Sequence, residues 1–123
     1  MDCSRAKQII ADNYYKIEDS LCYLLNEECE FSTLAFWEYY EAIVCITRNG
    51  LRTEELSTQI AIGYQRFLKE IVFHFDPNDV AAVEYFPENY NDYIERLDLA
   101  VRAYYEGKPE WLNDALLEED NHV

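Results

Sequence analysis

Two histidines and four cysteines hold most of the nucleophilic and metal-binding chemistry in this chain, and their spacing decides how much of it is usable. Nucleophilic catalysis needs a base beside a hydroxyl or thiol. His122 lies in an acidic terminal stretch, which leaves His74 as the candidate imidazole base. No local partner pattern surrounds His74, so a triad on it would have to be assembled by the fold. Its expected place is the end of a helix, where the dipole's negative pole favours it. Glu70 and His74 lie one turn apart with Asp76 and Asp79 close by, a possible beginning of a metal site. A di-metal bundle wants Glu-x-x-His pairs on two helices, which this chain does not supply. Gly50, Gly63 and Gly107 are far apart, so no glycine-rich loop cradles a phosphate. The reading is a chain with no catalytic residues, no metal and no cofactor.

Cys3, Cys22, Cys29 and Cys45 contain no C-x-x-C pair. The start, Met1-Asp2-Cys3-Ser4-Arg5, lacks the apolar core of a signal peptide, and no apolar run reaches the length of a membrane span. Reduced thiols in a cytoplasmic protein are therefore expected, with Cys22 and Cys45 as buried, inert fillers.

The elements that must carry these residues read as helices. Only three glycines and three prolines punctuate 123 residues. A first helix is expected over 4–26, capped by Ser4, with Ile10, Tyr14, Ile17, Leu21 and Leu24 as its stripe. Ser32 caps a second over 33–48 that buries Phe36, Tyr40, Ile43, Val44 and Thr47 and stops at Asn49-Gly50. Thr53 caps a third, with Glu54 and Glu55 in its first turn and a stripe of Leu56, Ile60, Tyr64, Phe67, Leu68 and Ile71 ending near Phe75. Asp76-Pro77-Asn78-Asp79 predicts a short helix over 77–85, ended by Phe86-Pro87. A fifth starts at Asn89 or Asn91, carries Tyr90, Ile94, Leu97, Val101 and Tyr104, and closes at Gly107. Pro109 opens a last short helix through Trp111, Leu112, Leu116 and Leu117. The predicted fold is all-α, a compact bundle of five to six helices forming a single domain over 1–123.

Charge is the remaining chemistry, and it is lopsided. The formal net charge is -15. Between Lys16 and Arg48 stand Glu18, Asp19, Glu27, Glu28, Glu30, Glu38 and Glu41 with no lysine or arginine. Between Lys69 and Arg96 the same holds for Glu70, Asp76, Asp79, Glu84, Glu88, Asp92 and Glu95. Such a field repels nucleic acid and anionic membrane and suits a partner with a positive patch. A disordered acidic chain would be poor in aromatics, whereas 15% of these residues are aromatic and eleven are tyrosine. The stretch 84–95 combines a helix break with Glu84, Tyr85, Glu88, Tyr90, Asp92, Tyr93 and Glu95. Carboxylates beside tyrosine rings recognise arginine and lysine by paired hydrogen bonds and cation–π contact. These seven residues form the candidate partner-binding face, and the competing face is the block 27–41 with Tyr39.

In size, acidity and helicity across its whole length, the chain resembles small bacterial immunity proteins, including those paired with contact-dependent growth-inhibition toxins. The likeness is one of class and assigns no residue. It implies a cytoplasmic, non-enzymatic inhibitor that binds and neutralises a toxin domain, commonly a nuclease with a basic active site. Two other readings fit the charge. One is a nucleic-acid mimic of the anti-restriction or anti-CRISPR kind, and the other is a small helical scaffold or ligand-binding protein.

Overall fold

A computed structural model describes residues 1–78 and 82–112. Five α-helices and one 3₁₀ turn account for most of them: α1 (Cys3–Tyr15), α2 (Leu21–Glu27), α3 (Thr33–Arg48), α4 (Glu54–His74), α5 (Tyr90–Glu106) and Pro109–Leu112. The fold is the expected all-α bundle. The helix starts follow capping chemistry. Ser32 Oγ accepts from the Ala35 N–H at 3.0 Å and Thr53 Oγ1 from the Leu56 N–H at 3.1 Å. Gly50 and Gly107 both sit in the left-handed region, at φ 62° and 66°, just beyond the ends of α3 and α5.

The middle of the core is α3, which buries Ala35, Phe36, Tyr39, Tyr40, Ala42, Ile43, Val44, Ile46 and Thr47. It packs against α1 and α5, while α4 packs against α1, α2 and α5. One hydrophobic cluster runs through all five helices. Phe31, Phe36, Phe67 and Tyr93 meet in it, with Phe36 and Tyr93 edge to face at 4.8 Å.

Two expectations fail here. The first helix does not run over 4–26; it breaks after Tyr15, and Asp2 rather than Ser4 caps it, accepting from Arg5 N–H at 2.8 Å. Lys16 and Asp19 take left-handed backbone, at φ 54° and 72°. The cause is Asn13, a buried amide that donates to the Ile9 carbonyl at 3.0 Å and accepts from the Cys22 N–H at 2.9 Å. It thereby satisfies a donor at the start of α2, and Ser20 Oγ takes the Tyr23 N–H. Arg66 of α4 donates to the Tyr14 carbonyl and, at 3.5 Å, to that of Asn13, so the end of α1 is closed as well. Ile17, expected in the stripe, is 49% exposed.

The helix over 77–85 is also not formed among its described residues. Asp76 Oδ1 accepts from the Asn78 N–H at 2.9 Å in a tight turn, and His74 Nδ1 takes the Val83 N–H at 3.1 Å. Glu84 then pairs with the segment before α3. Groups outside the segment have claimed the hydrogen bonds that a helix would need. Asp79, Leu116, Leu117, His122 and the tail acids Asp114, Glu118, Glu119 and Asp120 lie outside the described residues.

Candidate functional site

The acidic face is built where the end of α4, the segment 82–89 and the start of α5 come together. Glu84 anchors it. Its N–H donates to the Cys29 carbonyl at 2.7 Å and its carbonyl accepts from the Phe31 N–H at 2.9 Å, an isolated parallel bridge between Glu30 and Glu84. The two acidic blocks, treated as competitors in the sequence, are thus joined at this point. Glu27, Glu28 and Glu30 lead into the bridge from one side, and Glu84 and Glu88 leave it on the other.

Tyr85 follows directly. It is 75% exposed and holds left-handed backbone at φ 59°. For a non-glycine residue that conformation costs about 1–2 kcal/mol. An exposed aromatic ring held in strained backbone makes no contribution to the core that would compensate for the cost.

Behind Tyr85 an aromatic stack fixes the segment. The His74 ring lies flat on Phe86, centroids 3.9 Å apart and planes 14° apart, and Phe75 meets Phe86 edge-on at 5.4 Å. Tyr90 closes the group, 5.0 Å from Phe75 and 5.4 Å from Phe86. Phe86 continues inward to Phe31 at 6.2 Å. His74 is therefore the pin of this segment: its ring stacks and its Nδ1 holds Val83. Among the described residues no helix leads into Phe86-Pro87 to be broken there; Tyr85 turns out between the Glu84 bridge and the Phe86 stack, and Phe86 turns in.

The seven candidate residues divide accordingly. Glu84, Tyr85, Glu88, Asp92 and Glu95 are exposed, and Tyr90 is half-buried. None of Glu84, Glu88, Asp92 and Glu95 makes an ion pair with a described residue. Asp92 also serves its own helix: it lies in the first turn of α5 and accepts from Asn89 Nδ2 at 3.5 Å. Tyr93 must be removed from the face. Its ring is buried among Phe31, Phe36 and Trp37, so it is a core residue, and burial pushes its hydroxyl pKa up. Tyr39 of the competing block is fully buried, and Glu38 of the same block lies 3.6 Å from Arg5.

Sequence reasoning missed two members of the surface. Val72 and Phe75, 65% and 53% exposed, stand at the C-terminal end of α4, three residues apart and hence on one side of it. Periodicity gave no signal for them: Val72 and Phe75 lie four residues beyond Leu68 and Ile71, on the side that the α4 stripe occupies.

Cys22 is buried, donates to the Gly63 carbonyl at 3.6 Å, and has its pKa pushed up to about 12 by burial, with Arg66 opposing. It is poorly placed as a nucleophile. Cys45 is only half-buried, contrary to expectation. Among the described residues no group of three His, Cys, Asp or Glu could hold a metal ion, and no helix is long and apolar enough to cross a membrane. Set against known proteins, the chain matches no family model, no curated protein and no solved structure.

Proposed function

We propose that this chain is an inhibitor that works by binding, and that it neutralises a toxin domain with a basic active site, such as a nuclease, by covering it. The observation that carries this is the exposed, strained Tyr85 set among carboxylates that have no ion pair with a described residue, with Val72 and Phe75 exposed on the adjoining helix end. Apolar and aromatic groups in such a patch supply the desolvated centre that interfaces concentrate their energy in. The acids around it give complementarity to arginines and lysines, and they steer the encounter. A surface of this make-up fits a phosphate-binding protein, because a site that holds phosphates must itself be positive.

The test uses a basic toxin domain encoded beside this reading frame. It should be bound and its activity blocked at equimolar inhibitor, with an association rate that falls steeply as salt rises. Removing one side of a buried charge pair costs about 2–5 kcal/mol, so the double reversal Glu88→Lys, Asp92→Lys should weaken the complex by more than about a hundredfold. Circular dichroism should show its helicity unchanged. Equal inhibition by this variant would remove the face from the interface. An unaffected toxin at excess inhibitor would remove the inhibitor reading itself.

A further inference from the structure

The last turns of α3 pass the first turn of α1, and two cysteines meet there. The Cys45 thiol donates to the Met1 carbonyl at 3.3 Å, which places its sulfur against the backbone leading into α1. Cys3 is the first residue of that helix, two positions beyond the Met1 carbonyl that the Cys45 sulfur touches. Asn49 Nδ2 approaches the same sulfur at 3.7 Å from one turn further along α3. Both thiols are half-buried, so a small reagent can reach them, whereas Cys22 is sealed in the core.

We propose that Cys3 and Cys45 are a thiol–disulfide site, which closes reversibly by exchange with a low-molecular-weight disulfide such as oxidised glutathione. In the first step the Cys3 thiolate attacks one glutathione sulfur, the glutathione S–S bond breaks, and one glutathione thiolate leaves. Cys45 then gives its proton to solvent and attacks the Cys3 sulfur of the mixed disulfide, which expels the second glutathione. The protein loses two hydrogens and one glutathione disulfide becomes two thiols. Cys45 suits the second role. Burial, and then its interaction with Cys3, push its thiol up, which disfavours it as the first attacker. The resulting bond ties the start of α1 to the end of α3, two helices already packed together, and spans a loop of about forty residues.

The experiment treats the reduced full-length protein with oxidised glutathione, quenches with an alkylating agent, and reads intact mass, proteolytic peptides and melting temperature. The expected product is lighter by two hydrogens, yields a cross-linked peptide pair containing Cys3 and Cys45, and melts about 5–15 °C higher until dithiothreitol is added. Cys3→Ser and Cys45→Ser should each abolish the cross-link, while Cys22→Ser and Cys29→Ser should keep it. Glutathione adducts without an internal link would overturn the proposal, and so would a link through Cys29 or a cross-linked protein that melts no higher than the reduced one.

Discussion

Replacing Gly63 with alanine should destabilise the protein, although alanine is the better helix former. Gly63 lies in the middle of α4, and a Cβ there would come 2.3 Å from the Tyr39 hydroxyl oxygen and 3.2 Å from its ring carbon Cζ. The ring has nowhere to go: Tyr39 is fully buried. Its hydroxyl has no hydrogen-bond partner among the described residues, and burial holds its pKa well above the ordinary value. Glycine to alanine in a helix gains about 1 kcal/mol. Overpacking of this severity costs about 2–3 kcal/mol, the upper part of the usual range. The net loss is then about 1–2 kcal/mol. Tyr39→Phe removes the offending oxygen and with it an unsatisfied buried group, so alone it should be neutral or stabilising by about 1 kcal/mol. In the double variant alanine keeps its helical gain and meets only the ring edge. That protein should be at least as stable as the parent, with a coupling of about 2 kcal/mol or more between the sites. Denaturant unfolding of the four proteins, followed by circular dichroism, measures the cycle. A coupling near zero, or a Gly63→Ala protein more stable than the parent, would refute the packing argument.

Two shorter tests address the face and the core. Tyr85→Gly relieves left-handed strain and should leave stability equal or raise it by up to about 1 kcal/mol in denaturant unfolding, while weakening binding to a basic partner; a loss of stability would show that the ring has a structural role. Cys22 keeps its proton in the folded state to about pH 12, against an ordinary 9.0. The unfolded chain therefore releases that proton first, so this contribution to stability is present below pH 9 and is lost as pH rises toward 12. Alkaline unfolding of Cys22→Ala should show a shallower fall over that window, and native-state alkylation of Cys22 should lag far behind that of Cys3.

How much of this was legible in the sequence depends on whether the deciding partner was local. Ser32 and Thr53 cap helices through an N–H three residues on, and Gly107 ends α5 through its own backbone freedom, so these signals could be read directly. Asn13 could not be read in the same way. Its neighbours promise a helix continuing through Ile17 and Leu21, and only the Cys22 N–H, nine residues away, reveals why the chain turns. The same holds for 76–86, where a proline and flanking acids give a strong local signal for a helix. His74, Cys29 and Phe31 take the backbone groups first, and two of those three are distant in sequence.

The candidate face shows the same division, and it explains why the residue type misled at one position and not at the next. Tyr85, Tyr90 and Tyr93 are chemically equal in the sequence, yet they end exposed, half-buried and buried. Tyr93 falls on the side of α5 that carries Leu97, Ala100 and Tyr104, so helical periodicity from the first turn of α5 would already have placed it inward. Tyr85 precedes the helix, where no periodicity applies, and its exposure is set by the Glu30–Glu84 bridge just before it and by Phe86 stacking on His74 just after. With the Glu84 backbone tied to Glu30 on one side and the Phe86 ring held on His74 on the other, the Tyr85 ring between them points outward, even at the cost of left-handed backbone. That bridge also places the backbones of two acidic stretches side by side that lie more than fifty positions apart in the chain. The charge needed for a basic partner was therefore visible as composition, but its convergence on one surface depends on a pair of backbone hydrogen bonds that no motif announces.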